Sequence, residues 1–140
     1  MNASVLPPAV SAALASPAAG ERLTFPAAGI PFAALAWGEP SARPLLLIHG
    51  VTGSAENWWR LGPAFAATGR RVVAVDLPGH GGTGHWTGRH RFRDNAAEVA
   101  ACAAAAGLVR DDLQVVGHSW GAMTAAAAKA ATSAALSRNR

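Results

Sequence analysis

Three continuous apolar runs, each closing on a glycine-marked loop, constrain this chain more than any other feature. They are "PLLLIHG" (Pro44–Gly50), "RRVVAVDLPG" (Arg70–Gly79) and "LQVVGHS" (Leu113–Ser119). The first two have the pattern of strands buried on both faces, and the third reads as a further strand. Between and after them lie segments with helical pattern. "SAENWWRLGPAFAATG" opens on Ser54, an N-cap residue type, and closes on Gly69. "FRDNAAEVAACAAAAGL" carries Asp94 near its start and Gly107 at its end. "WGAMTAAAAKAATSAAL" follows Ser119 directly. Strand, helix, strand, helix, strand, helix predicts α/β architecture, a mostly parallel sheet with crossover helices. Upstream, "RLTFPAAG" and "IPFAALAWG" predict a two-stranded ribbon, although Pro26 and Pro31 limit pairing.

At 140 residues the chain is one domain at most. Residues 1–20, "MNASVLPPAVSAALASPAAG", read as a disordered Ala/Pro-rich tail, and residues 21–140 as the folded part. A signal-peptide reading of the tail is weakened by the absence of Lys or Arg near its start and by Pro7 and Pro8 in the apolar part. No stretch is long and apolar enough to span a bilayer, and the expected location is cytoplasmic. The formal charge of +4 comes from scattered arginines apart from Arg89–Arg93 ("RHRFR"). That cluster reads as a solvated loop ahead of a helix, so no nucleic-acid partner is expected. Cys102 is the only cysteine, which excludes an intrachain disulfide. It has no nearby His or Cys at metal-ligand spacing.

The chemistry-bearing stretch is "VVGHSWGAM", with the pattern Gly-x-Ser-x-Gly where a strand gives way to a helix. Such a turn must be sharp enough to lift the serine hydroxyl clear of the sheet. Two residues on either side, the chain must be small enough to pass its neighbours, a need that Gly117 and Gly121 meet. Ser119 then sits at a helix N-terminus, which favours developing negative charge. The pentapeptide alone is weak evidence. It is strengthened by "HGVTG" (His49–Gly53) and "DLPGHGGTG" (Asp76–Gly84), which close the other two buried runs. Functional loops of open α/β sheets gather at the C-terminal ends of the strands.

"LLLIHG", "VVAVDLPGHG" and "VVGHSWG", in this order and spacing, resemble the N-terminal half of an α/β-hydrolase-fold protein over roughly Leu45 to Ala128. The resemblance implies that Ser119 is a catalytic nucleophile. It implies that the backbone N–H groups of Val51 and Trp120 form an oxyanion hole, shaped by His49 and Gly50. It also implies that the strand at Leu45–His49 lies between those at Val72–Asp76 and Gln114–Gly117, and that Ser119 has a positive φ. The implied reaction is hydrolysis of carboxylic esters, thioesters or related acyl compounds of small molecules, without metal or organic cofactor. Carbon–carbon bond hydrolysis and haloperoxidase-like ester chemistry stay open within the family. A serine nucleophile argues against the epoxide-hydrolase and haloalkane-dehalogenase branches. "HGVTG" departs from the "HGGPG" of proline iminopeptidases despite the shared "SWG".

A serine hydroxyl needs a base, and the base an orienting acid. In this family both follow the serine, yet the residues after Ser119 include no Asp, Glu or His. The chain therefore reads as a truncated hydrolase domain, inactive by itself. The rival reading is a non-catalytic fragment or binding module. Asp76 stands where some relatives place the acid, and His49, His80 and His85 are the histidines to weigh for an unusual dyad. His118 reads as a loop-positioning residue, and His85, Trp86 and His90 as rim residues. Trp120 offers a side chain to wall an acyl pocket. Trp58 and Trp59 read as helix-face packing. Residues 113–117 would form an exposed sheet edge, which invites self-association.

Overall fold

The computed structural model describes residues 5–84 and 91–138. Its sheet has five strands: β1 (Glu21–Ala27), β2 (Ile30–Trp37), β3 (Arg43–Ile48), β4 (Arg70–Val75) and β5 (Gln114–Gly117). The spatial order is β1-β2-β4-β3-β5. β3 pairs in parallel with β4 on one side and β5 on the other, the predicted order. β1 and β2 form the expected antiparallel ribbon, paired from Glu21↔Ala36 to Ala27↔Ile30, with Pro26 opposite Pro31. β2 continues the sheet antiparallel to β4.

Strand residues alternate between two buried faces. On one face Leu46, Ile48, Val73 and Val75 pack with α3 (Phe92–Ala105) and α4 (Trp120–Arg138). On the other, Leu45, Leu47, Val72 and Ala74 pack with Trp37, Trp58 and Phe65, the last from α2 (Leu61–Ala66). Burial on both sides is why Leu45–Ile48 and Val72–Val75 are apolar at every position. The helices can be alanine-rich because they lie close to the sheet and to each other. Ala96, Val99, Cys102 and Ala103 form the buried stripe of α3. Burial pushes the Cys102 thiol up to about 12, so it behaves as a small apolar residue. Gly107 takes φ +71 after α3, and Leu108 N–H and Gly107 N–H return to the carbonyls of Ala103 and Ala104, closing the helix in a Schellman motif.

Two expectations change. The segment from Ser54 is not one helix. Ser54 caps a 310 turn at Ala55–Trp58, where its side chain accepts from Glu56 N–H and Asn57 Oδ1 accepts from Ser54 N–H. α2 starts only at Leu61. Pro63 sits in the first turn of α2, where its missing N–H costs nothing, but it cannot continue a helix begun at Ser54. In the region read as a disordered tail, Pro8–Ala15 forms helix α1. Pro8 is at its first position, Arg60 Nε donates to Leu14 O, and Trp37 Nε1 donates to Ala18 O. Long-range partners hold this segment, not its own apolar face, which has no buried residue. Met1–Ser4, His85, Trp86, Arg89 and His90 lie outside the described residues. Arg91 and Arg93 are exposed at the start of α3. No described helix is long and apolar enough to cross a membrane.

Leu47 is fully buried at the centre of β3, against the tryptophan-rich face. Leu47→Ala is expected to lower unfolding free energy by about 2–5 kcal/mol, from lost burial plus the cavity left behind. Val116→Ala, on the exposed side of β5, is expected to cost about 0.5 kcal/mol or less. Urea denaturation of the two variants checks the difference.

Candidate active site

β5 ends at Gly117 and α4 begins at Trp120, so His118 and Ser119 make the whole connection. Ser119 has φ +56, the strained left-handed value expected of it. His118 N–H donates to Ile48 O at 3.0 Å, which ties the turn to the end of β3. Gly117 faces the backbone of Gly121 and Ala122, and Gly121 faces the carbonyls of Ile48 and His49. A methyl group at either glycine would lie inside van der Waals contact with that backbone. The spacing of glycines around Ser119 is therefore a packing requirement of the turn.

Ser119 is exposed and opens on a cleft of ≈ 380 Å³. The 49–53 loop forms one wall, and Asn57, Trp58 and Leu61 extend the lining. Trp58 thus does two jobs, packing under the sheet and bordering the cleft. Trp59 is 54% exposed and outside it. Trp120 is not an acyl-pocket wall. Its indole Nε1 donates to Asn95 Oδ1 at 3.1 Å, and the ring packs with the α3–α4 core. Its backbone still follows Ser119 at the first turn of α4. Gly50 lies against the turn: a Cβ there would meet His118 Nδ1, His118 O and Ser119 Cβ, each at 3.4 Å.

Behind the cleft, three loops are knotted together. Asp76 is 8% exposed. Its Oδ1 accepts from Ala55 N–H at 2.6 Å and its Oδ2 from Gly82 N–H at 2.9 Å. Its carbonyl accepts from Thr83 Oγ1, which in turn accepts from Ala33 N–H. Each carboxylate oxygen thus accepts a backbone N–H, and Asp76 braces the loops around it. His49 is 1% exposed. Its Nε2 accepts from Leu77 N–H at 3.0 Å, so Nδ1 carries the proton and donates to Gly50 O at 2.6 Å. His80 Nε2 donates to Val51 O at 2.6 Å. Neither ring has a nitrogen lone pair directed at Ser119, so neither supplies the dyad base. Among the described residues no group of three or more His, Cys, Asp and Glu side chains could hold a metal.

Known proteins match much of this chain. The alpha/beta hydrolase fold profile covers residues 43–132. The chain belongs to the alpha/beta hydrolase fold family. Within that family it is 33% identical over 97 residues to a serine hydrolase-like protein of Dictyostelium discoideum, covering 66% of this chain and 26% of that protein. It is 37% identical over 89 residues to a proline iminopeptidase of Lacticaseibacillus rhamnosus, covering 61% of this chain and 30% of that one. The thioesterase domain from the curacin biosynthetic pathway superposes with a TM-score of 0.71 at 32% identity, over 79% of this chain and 41% of that domain. The chain therefore spans less than half the length of these hydrolase-fold relatives.

Burial holds the His49 pKa below the ordinary histidine value, with the nearby His80 adding to the effect. The Gly50 hydrogen bond and Asp76 oppose it. The unfolded chain then binds a proton more readily than the folded one. The contribution of the neutral ring is complete above about pH 6.5, starts to fall below it, and is gone once pH drops under the folded value. Urea midpoints are expected to fall between about pH 7.5 and pH 5.5, and to fall less in His49→Gln. Equal acid sensitivity in both proteins would assign the effect elsewhere.

Proposed function

We propose that the chain carries the nucleophile and oxyanion site of a serine hydrolase acting on carboxylic esters, thioesters or related acyl compounds. In this reading Ser119 Oγ attacks the acyl carbonyl, and the N–H groups of Val51 and Trp120 receive the oxyanion. The single observation that carries it is the strained, exposed serine at φ +56, wedged by Gly117 and Gly121 against the end of β3. A structural serine has no need of a left-handed turn at a helix N-terminus facing a cleft. The similarity to a serine hydrolase-like protein and to a thioesterase domain supports an acyl substrate.

Collapse of the tetrahedral adduct breaks the bond to the alcohol or thiol and leaves the acyl group on Ser119. The leaving group takes a proton, and water then releases the acid. Both halves of this cycle need a base for the serine and water protons. Asp76, His49 and His80 are committed to backbone partners, and the residues after Ser119 contain no histidine. The 140-residue chain is therefore a binding and oxyanion half-site with little turnover of its own. Self-association through the edge at residues 113–117 belongs to the same proposal, since β5 is the last strand in the sheet order.

The test is p-nitrophenyl ester hydrolysis. The 140-residue chain is expected to run at least roughly a thousandfold below a complete enzyme, with only the oxyanion site and binding contributing. Joining it to the C-terminal half of a hydrolase-fold relative should restore turnover, and Ser119→Ala should abolish the gain. Strong Ser119-dependent turnover by the chain alone would mean that a base is present, and His85 and His118 would be mutated first.

A further inference from the structure

We propose that His80 is a positioning residue for the Val51 N–H, holding that donor in line from the far side of the 49–53 loop. The inference rests on the reading of Val51 as an oxyanion donor. Val51 is 59% exposed, so its side chain gives the loop little packing. Its N–H shares a peptide unit with Gly50 C=O, and its own C=O belongs to the next unit. A trans peptide points its C=O and N–H in opposite directions, and both of these units are trans. Pinning Gly50 C=O therefore aims the Val51 N–H, and pinning Val51 C=O fixes the following peptide plane, so that rotation about Val51 cannot swing that N–H away.

Both carbonyls are pinned by imidazoles. His49 Nδ1 donates to Gly50 O at 2.6 Å, and Gly53 N–H donates to the same oxygen at 3.0 Å. His80 Nε2 donates to Val51 O at 2.6 Å. A carbonyl has no proton to give, so Nε2 of His80 must carry one. With the planes on both sides fixed, the φ and ψ of Val51 are fixed as well. His49 is itself set by Leu77 N–H, and His80 lies next to it with ring centroids 5.0 Å apart. His80 Nδ1 lies 3.1 Å from Pro78 O, where with the proton on Nε2 it donates nothing. The loop after β4 thereby holds the loop after β3. "DLPGHGGTG" supplies both the buried carboxylate of Asp76 and the imidazole that reaches across to Val51.

Nuclear magnetic resonance of the 140-residue chain, and fluorophosphonate labelling of the chain joined to the C-terminal half of a hydrolase-fold relative, test the inference. In the wild type, 15N ring spectra are expected to show a proton on His80 Nε2. An unprotonated Nε2 overturns the inference with no variant needed. His80→Ala is expected to move the Val51 and Thr52 amide resonances and to slow Ser119 labelling about tenfold, part of the hundredfold or more that outright loss of a donor costs. His80→Gln keeps an N–H donor and should recover most of the labelling rate. Unchanged labelling and amide resonances in His80→Ala, or equal loss in both variants, would reduce His80 to a space-filling residue. Ser119→Ala separates the two readings. Labelling that survives it removes Ser119 as the nucleophile, while the ring and amide spectra still decide what His80 does.

Discussion

The contact between Gly121 and the carbonyls of Ile48 and His49 is the constraint on which the rest of the site depends. It brings the first turn of α4 against the end of β3 with no side chain between them. Gly117 does the same one step earlier, against the backbone of Gly121 itself. With both approaches made, the chain has room for only two residues between strand and helix, and Ser119 has to take the left-handed angle. The strain is local, and it is offset by the packing of α4 on the sheet through Ala125 and Ala128. A serine hydroxyl standing clear of the sheet results directly from how closely two backbones meet.

The same closeness sets demands on the loop beside it. Gly50 abuts the serine turn, so the 49–53 loop has to be held from behind. Asp76 and His49 provide that hold through buried polar groups. A buried carboxylate is costly without partners, and Asp76 has backbone N–H donors on both oxygens. A buried imidazole is least costly when neutral, and both nitrogens of His49 are used in that state. These bonds join the ends of β3 and β4 to the 310 turn at Ala55–Trp58. The cleft wall is consequently stiff where it meets Ser119, although Val51 itself is solvent-exposed.

Which parts of this were legible in the sequence follows from how local their causes are. The buried strands were legible because burial on both faces removes polar residues from Leu45 to Ile48 and from Val72 to Val75. The serine turn was legible because its glycines lie two residues to either side. The break at Trp59–Arg60 was not, because Trp58 and Leu61 keep helical spacing across it. The direction of the Trp120 indole depends on Asn95, on a different helix. Helix α1 depends on Arg60 and Trp37, far along the chain. The histidines drew attention as candidate bases. Their partners are backbone groups of other loops, and no spacing pattern encodes those.

Family membership and the committed histidines lead to a division of labour within the fold. The nucleophile and oxyanion donors of this reading come from backbone geometry: a tight turn, a helix start and a pinned peptide. All of them can be specified by one sheet edge and two loops. A general base is a different kind of part. It needs a side chain with a free lone pair held within hydrogen-bond reach of the serine. His49 does not meet that requirement because both its nitrogens are spent, on Gly50 O and Leu77 N–H; in His80 the Nε2 proton goes to Val51 O and Nδ1 faces Pro78 O. Converting either into a base would release the loop that it holds. In the proposed reading His49 and His80 serve as scaffold, and a base would be a group that braces nothing.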